Sequence, residues 1–207
     1  MFLPTILLSS ISILNQITTT MATNTDTKQL SPLPKPTRFI TSHNSDAKSV
    51  VHTEDAATWT NLGDEMGFFV PYTTSQFPVD MNNETDIAQN REVTSSGKLG
   101  LVNPGGTVCR YVDFAPGNKP VMHQTVSLDY GIVLEGEVEM ILDSGEKKLL
   151  KRGDVAIQRG TMHAWKNPSQ TEWARLLFVL QASENVVING KALREDIPSD
   201  ANIQPSQ

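Results

Sequence analysis

Residues 117–137, "GNKPVMHQTVSLDYGIVLEGE", decide the reading of this chain. The run alternates apolar and polar residues in the manner of a half-buried strand, and glycines stand near both ends, where turns belong. Within it His123 and Asp129 lie six positions apart. Successive side chains of a strand point to opposite faces, so Val121, His123 and Thr125 share one face. Downstream, "MHAWKN" puts His163, Trp165 and Asn167 on one face in the same way. If both faces look into one enclosure, two imidazoles from different strands converge there. They then serve as metal ligands, as proton carriers or as satisfied polar residues of a core.

Around that stretch the text is β-prone. "VCRYVDF", "VMHQTVSL", "YGIVLEGEVEMIL", "KKLLKRGDVAIQRG" and "WARLLFVLQ" are short runs rich in branched and aromatic residues, parted by "APGNKP", "DSGE" and "NPSQ". The spacing predicts an antiparallel sandwich or barrel, because a parallel βαβ sheet needs amphipathic helices that the text lacks. Residues 38–99 mix short apolar pieces with acidic and Asn-rich turns, and no segment there sustains a helical period. They are expected to be irregular strands flanking the barrel. Residues 22–37 are rich in Thr, Ser and Pro and are expected to form a flexible arm. After Gln181, "VVINGKAL" predicts a last strand across an Asn-Gly turn, followed by a loose polar tail within 183–207.

The whole chain has 207 residues and a net charge of -6, which suits one well-filled domain and argues against a nucleic-acid partner, since phosphate binding needs a basic face. One cysteine, Cys109, excludes an intramolecular disulfide framework and a thiolate zinc site. The first twenty residues are apolar but carry no Lys or Arg and no clean cleavage site, and Met21 opens a sequence that reads as a soluble start. Residues 1–37 are therefore a doubtful leader plus the flexible arm. The expected location is cytoplasmic, or secreted if the leader functions as a signal peptide; no integral membrane association is expected.

Gly117, His123, Thr125, Asp129 and Gly136, followed by Gly153, "DVAIQ", Arg159, Gly160, His163 and Asn167, resemble the two motifs of the cupin family. The resemblance covers residues 100–182. Upstream, "KPTRFITSHNSDAKSVVH" and "LVNPGGTVCRYVDFAPG" resemble small fungal cupins of polyketide and other secondary-metabolite pathways. It implies an all-β fold, an antiparallel double-stranded β-helix or jelly-roll barrel, with an irregular β-rich N-terminal arm. In the family pattern a histidine stands where this chain has Thr125, and a glutamate where it has Asp129.

The resemblance implies a degenerate metal site of His123, Asp129 and His163 for Fe(II), Mn(II) or Zn(II), or a pocket that works with none. The same three residues are the expected catalytic set, because an imidazole titrates near neutrality and acts as acid or base without help. Arg110, Thr125, Tyr130, Trp165 and Asn167 are the expected substrate contacts. Arg110 would clamp a carboxylate or enolate, with Arg159 as a second candidate cation and an exposed ion pair with Glu as the alternative for both. Local hydrogen bonding is the alternative role for Thr125 and Asn167, core packing for Tyr130 and Trp165, and a turn for Asp129. The expected function is a lyase- or isomerase-type tailoring step on a small oxygenated metabolite: dehydration, isomerisation, cyclisation or decarboxylation. A metal-dependent oxidoreductase or dioxygenase and a non-catalytic ligand-binding cupin are the alternatives. The expected partners are that small-molecule substrate and a second copy in a homodimer.

Overall fold

The computed structural model describes residues 28–206. Two sheets form the body. Six strands, β3 (Trp59–Leu62), β4 (Met66–Thr74), β5 (Thr107–Phe114), β11 (Ala174–Ala182), β6 (Ser127–Glu135) and β9 (Val155–Arg159), pair antiparallel in that order. Three more, β10 (His163–Lys166), β7 (Glu137–Leu142) and β8 (Lys147–Lys151), make the second sheet. This is an all-β jelly roll. The chain passes from the first sheet to the second at Gly136, where φ is +72° and an added Cβ would lie 3.1 Å from the Ala174 Cβ, so only glycine makes that crossing without strain.

Alternation fills the space between the sheets. Val108, Arg110, Val112 and Phe114 of β5, Leu176, Phe178 and Leu180 of β11, and Ser127, Asp129, Gly131 and Val133 of β6 are all buried. Each large apolar residue among them contributes about 1.5–3 kcal/mol by leaving water. Gly131 is required there, because a Cβ would stand 2.9 Å from the Phe178 ring, which packs 5.4 Å from Trp165.

Outside the body, β1 (Thr37–His43) and β2 (Ser49–Ala56) pair only with each other, and β12 (Val187–Ile188) meets β13 (Lys191–Ala192) across Asn189-Gly190, both at positive φ. Three features depart from the sequence reading. A helix, α1 (Thr85–Ser95), interrupts the N-terminal strands. It buries only Ile87 and Asn90, so no apolar stripe announces it; instead, Asn90 Oδ1 accepts from the Thr73 amide (2.9 Å) and Tyr72 donates to Asp86 (2.6 Å).

The described part of the expected flexible arm, 28–36, is docked. Arg175 binds Asp113 through Nε (2.5 Å) and Nη2 (2.7 Å) and donates Nη1 to the Pro34 carbonyl (2.6 Å), while Ser31 donates to the same aspartate. A buried ion pair needs its remaining sites filled, and the arm fills them. Residues 1–27, with the doubtful leader, lie outside the described residues. The tail is likewise not loose: Ile197 and Ile203 pack on the core, Gln124 and Asp196 exchange backbone bonds (2.8 and 2.9 Å), and Ser206 accepts from the Val102 amide (3.1 Å). No helix among the described residues is long and apolar enough to cross a membrane.

Candidate functional site

His123 precedes β6 and His163 opens β10, and the two residues face each other as an antiparallel bridge, each amide donating to the other's carbonyl at 2.9 Å. That backbone pairing puts the rings 4.5 Å apart. Each Nδ1 then meets a local carbonyl: His123 that of Val121 (2.9 Å), His163 that of Thr161 (2.8 Å). A carbonyl only accepts, so both Nδ1 atoms carry the proton and both Nε2 atoms keep a lone pair. No described residue bonds either Nε2. Burial holds both imidazoles neutral. It pushes His163 down from 6.5 to about 4, with the neighbouring His123 adding to the fall, and it lowers His123, with Arg110 in the same direction.

Asp129 reaches the interior from β6. Burial pushes its carboxyl up from 3.8 to about 6, although the Ser127 hydroxyl (2.5 Å), the more distant Thr125 hydroxyl (3.5 Å) and the charge of Arg110 all hold it down. Arg110 comes in from β5 and is 4% exposed. Its Nη2 donates to the Gly100 carbonyl (2.6 Å) and its guanidinium lies 5.0 Å from the Phe68 ring. Burial draws it down to about 10, with Asp129 opposing, so it stays charged at neutral pH. Its Nε and Nη1 have no partner among the described residues. Buried donors are nearly always bonded, and a charged pair of free N–H groups is an opening for an acceptor.

These four side chains share one cavity. The rest of its wall is apolar, with Phe68, Val112, Phe114, Trp165, Phe178 and Leu180 among the lining residues. The structure therefore brings His123, His163, Asp129, Arg110 and Trp165 together. Thr125 is buried behind Asp129 with its hydroxyl 2.8 Å from that of Ser127, outside the cavity lining.

Besides Thr125, two further expected contacts are corrected. Tyr130 is 40% exposed: it follows the inward Asp129 on the same strand, and period two sends it to the outer face. Asn167 is buried but fully engaged, its side-chain nitrogen donating to the Glu172 carbonyl (2.7 Å) and its backbone N–H to Asn118 Oδ1 (2.7 Å), and it closes the turn beside the strands. Arg159 is exposed at the end of β9. The sequence reading missed Phe68 and Ile203 as cavity walls, since neither lies in a periodic run near the motifs.

A metal is implied by the resemblance. The two bare Nε2 atoms suit one, but Asp129 is turned to Ser127, and the third position carries a hydroxyl already engaged in that network. Among the described residues no three His, Cys, Asp or Glu side chains stand together as a metal requires. The expected set of His123, Asp129 and His163 is thus not gathered into a ligand cluster, and the donors do not fit the ion.

Comparison with known proteins places residues 110–180 in the cupin domain family. The chain is 44% identical over 168 residues to phomopsin biosynthesis cluster protein D of Diaporthe leptostromiformis, covering 80% of this chain and 88% of that one. It is 41% identical to oryzines biosynthesis cluster protein J of Aspergillus oryzae, covering 79% and 92%. With the cupin-domain-containing oxidoreductase fogC of Aspergillus ruber it shares 38% identity, over 82% and 83%.

Proposed function

This chain belongs to the cupin family, and on that premise we propose that it is an enzyme of a fungal biosynthesis cluster that moves protons on a small, largely apolar, oxygenated metabolite. The reaction class is dehydration, isomerisation, cyclisation or decarboxylation. One observation carries the reading: two buried, unpartnered nitrogens of Arg110 share a cavity with two imidazoles whose Nε2 lone pairs are bare.

The substrate presents a carbonyl or carboxylate oxygen to one of the two open nitrogens of Arg110, Nε or Nη1, which lie on opposite edges of the guanidinium. An Nε2 of the histidine pair takes a proton from the adjacent carbon, the C–H bond breaks, and its electron pair moves onto the oxygen as an enolate. The arginine opposes that developing charge in a cavity of low dielectric, where a placed donor is most effective. Asp129, with a pKa of about 6, exchanges a proton near neutrality. It protonates a β-hydroxyl that leaves as water, or returns a proton to a second carbon and isomerises the substrate. Phe68, Trp165 and Phe178 exclude water from the enolate.

A second reading, a redox step in the same cavity, is favoured by the designation of fogC as an oxidoreductase. Both are tested by supplying the product of the neighbouring biosynthetic enzymes in D₂O, with and without a chelator. Proton transfer predicts turnover that survives chelation, solvent deuterium at one substrate carbon, and loss of both in His163→Ala. Turnover abolished by chelation and restored by one metal, with no deuterium in the product carbon, overturns it in favour of the redox reading.

A further inference from the structure

The cavity that holds the histidines does not stand alone. A second cleft, of about 1410 Å³ counted out to solvent, abuts it, and three residues line both: Phe68, Arg110 and Ile203. Two of these belong to the body of the fold. Ile203 belongs to the C-terminal strap, residues 197–206; on either side of it Asn202 and Gln204 line the second cleft but not the first.

The strap is fixed at a specific height. Its backbone passes so close to Gly100 that a Cβ there would lie 2.7 Å from the Ser206 nitrogen and 2.8 Å from the Gln204 carbonyl oxygen. The same Gly100 carbonyl accepts the one bond that Arg110 makes within the protein. Ser206 is pinned through its N–H to Glu195 Oε1 (2.8 Å) and through its hydroxyl to the Val102 amide. The side chain at position 203 is thereby placed on the boundary between the two spaces, a boundary it shares with Phe68 and Arg110.

We infer that Ile203 is the specificity-determining residue of this site: it stops the apolar chain of a substrate whose oxyanion is held by Arg110. Cutting it down joins the two spaces, so that longer chains pass Phe68 into the outer cleft. The inference rests on the proposed function in taking Arg110 as the anchor of the substrate's charged end. Apolar sites discriminate by single methylenes, each contributing about 0.8 kcal/mol when buried, so opening that boundary by two carbons strengthens binding of an over-long chain by about tenfold.

The probes are straight-chain carboxylates from butanoate to dodecanoate and the 1-alkanols of the same lengths, titrated calorimetrically into the full-length protein, into Ile203→Ala and into Ile203→Trp. Thermal melts of each variant confirm folding, and the tryptophan variant gives a shift of opposite sign should the alanine variant melt early. The expected result is a chain-length limit that moves to longer chains in Ile203→Ala and to shorter ones in Ile203→Trp, in both series. An unchanged limit in both variants, or no binding of either series to any of the three proteins, overturns the inference. Carboxylates that bind no tighter than alkanols of equal length instead overturn Arg110 as the anchor, while the alkanol series still reports on Ile203.

Discussion

Strand β5 carries Arg110 to its inner face and Asp113 to its outer face, and the two faces treat buried charge in opposite ways. Outside, Asp113 and Arg175 are cross-strand neighbours, every nitrogen of the guanidinium has an acceptor, and the docked arm adds Ser31 and Pro34. The same arginine also lies 5.1 Å from the Trp59 ring. Inside, Arg110 has one backbone acceptor and two idle nitrogens, and Asp129 perturbs it without a direct ion pair. A buried charge with all its valences used is part of the scaffold. One left with open donors beside an apolar cavity is arranged for something that arrives.

The largest expected effect lies on the inner face. His163→Ala lowers turnover by about 10²- to 10⁴-fold, measured as initial rate per folded molecule on the cluster substrate. On the outer face the signature reverses. Asp113→Ala leaves Arg175 buried and uncompensated and lowers stability by about 3–5 kcal/mol in urea unfolding, while octanoate affinity per folded molecule stays the same.

Acid titration sharpens the contrast within the cavity. Asp129 in the folded protein titrates above its ordinary value of 3.8, so its contribution is complete below that value and is lost as the pH rises through about 6. His163 titrates below its ordinary 6.5, so its contribution is complete above that value and is lost as the pH falls through about 4, and His123 acts in the same direction. The Asp129 and His163 shifts amount to about 3 kcal/mol each, and the two oppose between those limits. In Asp129→Asn, stability therefore falls on acidification across this window more steeply than in the parent; in His163→Ala it falls less or rises. Urea midpoints at a series of pH values read both. The smallest effect is that of Tyr130→Ala, on the exposed side of β6, which changes stability by no more than about 0.5 kcal/mol and leaves octanoate binding untouched.

The strands and the histidine pair were legible because both depend on local pattern: period-two alternation, turn glycines, and motif spacing that carries a family resemblance. Tyr130, expected as a substrate contact, was misread against that same pattern, since it follows Asp129 directly and cannot share its face. What the sequence withheld depends on partners far along the chain. The idle nitrogens of Arg110 follow from what β6, β11 and Gly100 do not supply, and no window around residue 110 contains that information. The arm at 28–36 reads as disorder by composition, yet a single buried aspartate more than eighty residues away gives its polar groups a place. Ile197 and Ile203 stand alone in a polar tail, where isolated apolar residues have no period to betray them.

Replacing Arg110 by methionine tests the central claim most directly, with unfolding and octanoate titration run on the same preparation. If the arginine is held for a ligand, Arg110→Met stays within about 1 kcal/mol of the parent's stability and loses octanoate affinity by about a hundredfold, because an apolar side chain of similar length suits the cavity wall but offers no donor. A variant destabilised by about 3–5 kcal/mol that still binds octanoate at the parent's affinity would contradict the account and make Arg110 a second Arg175.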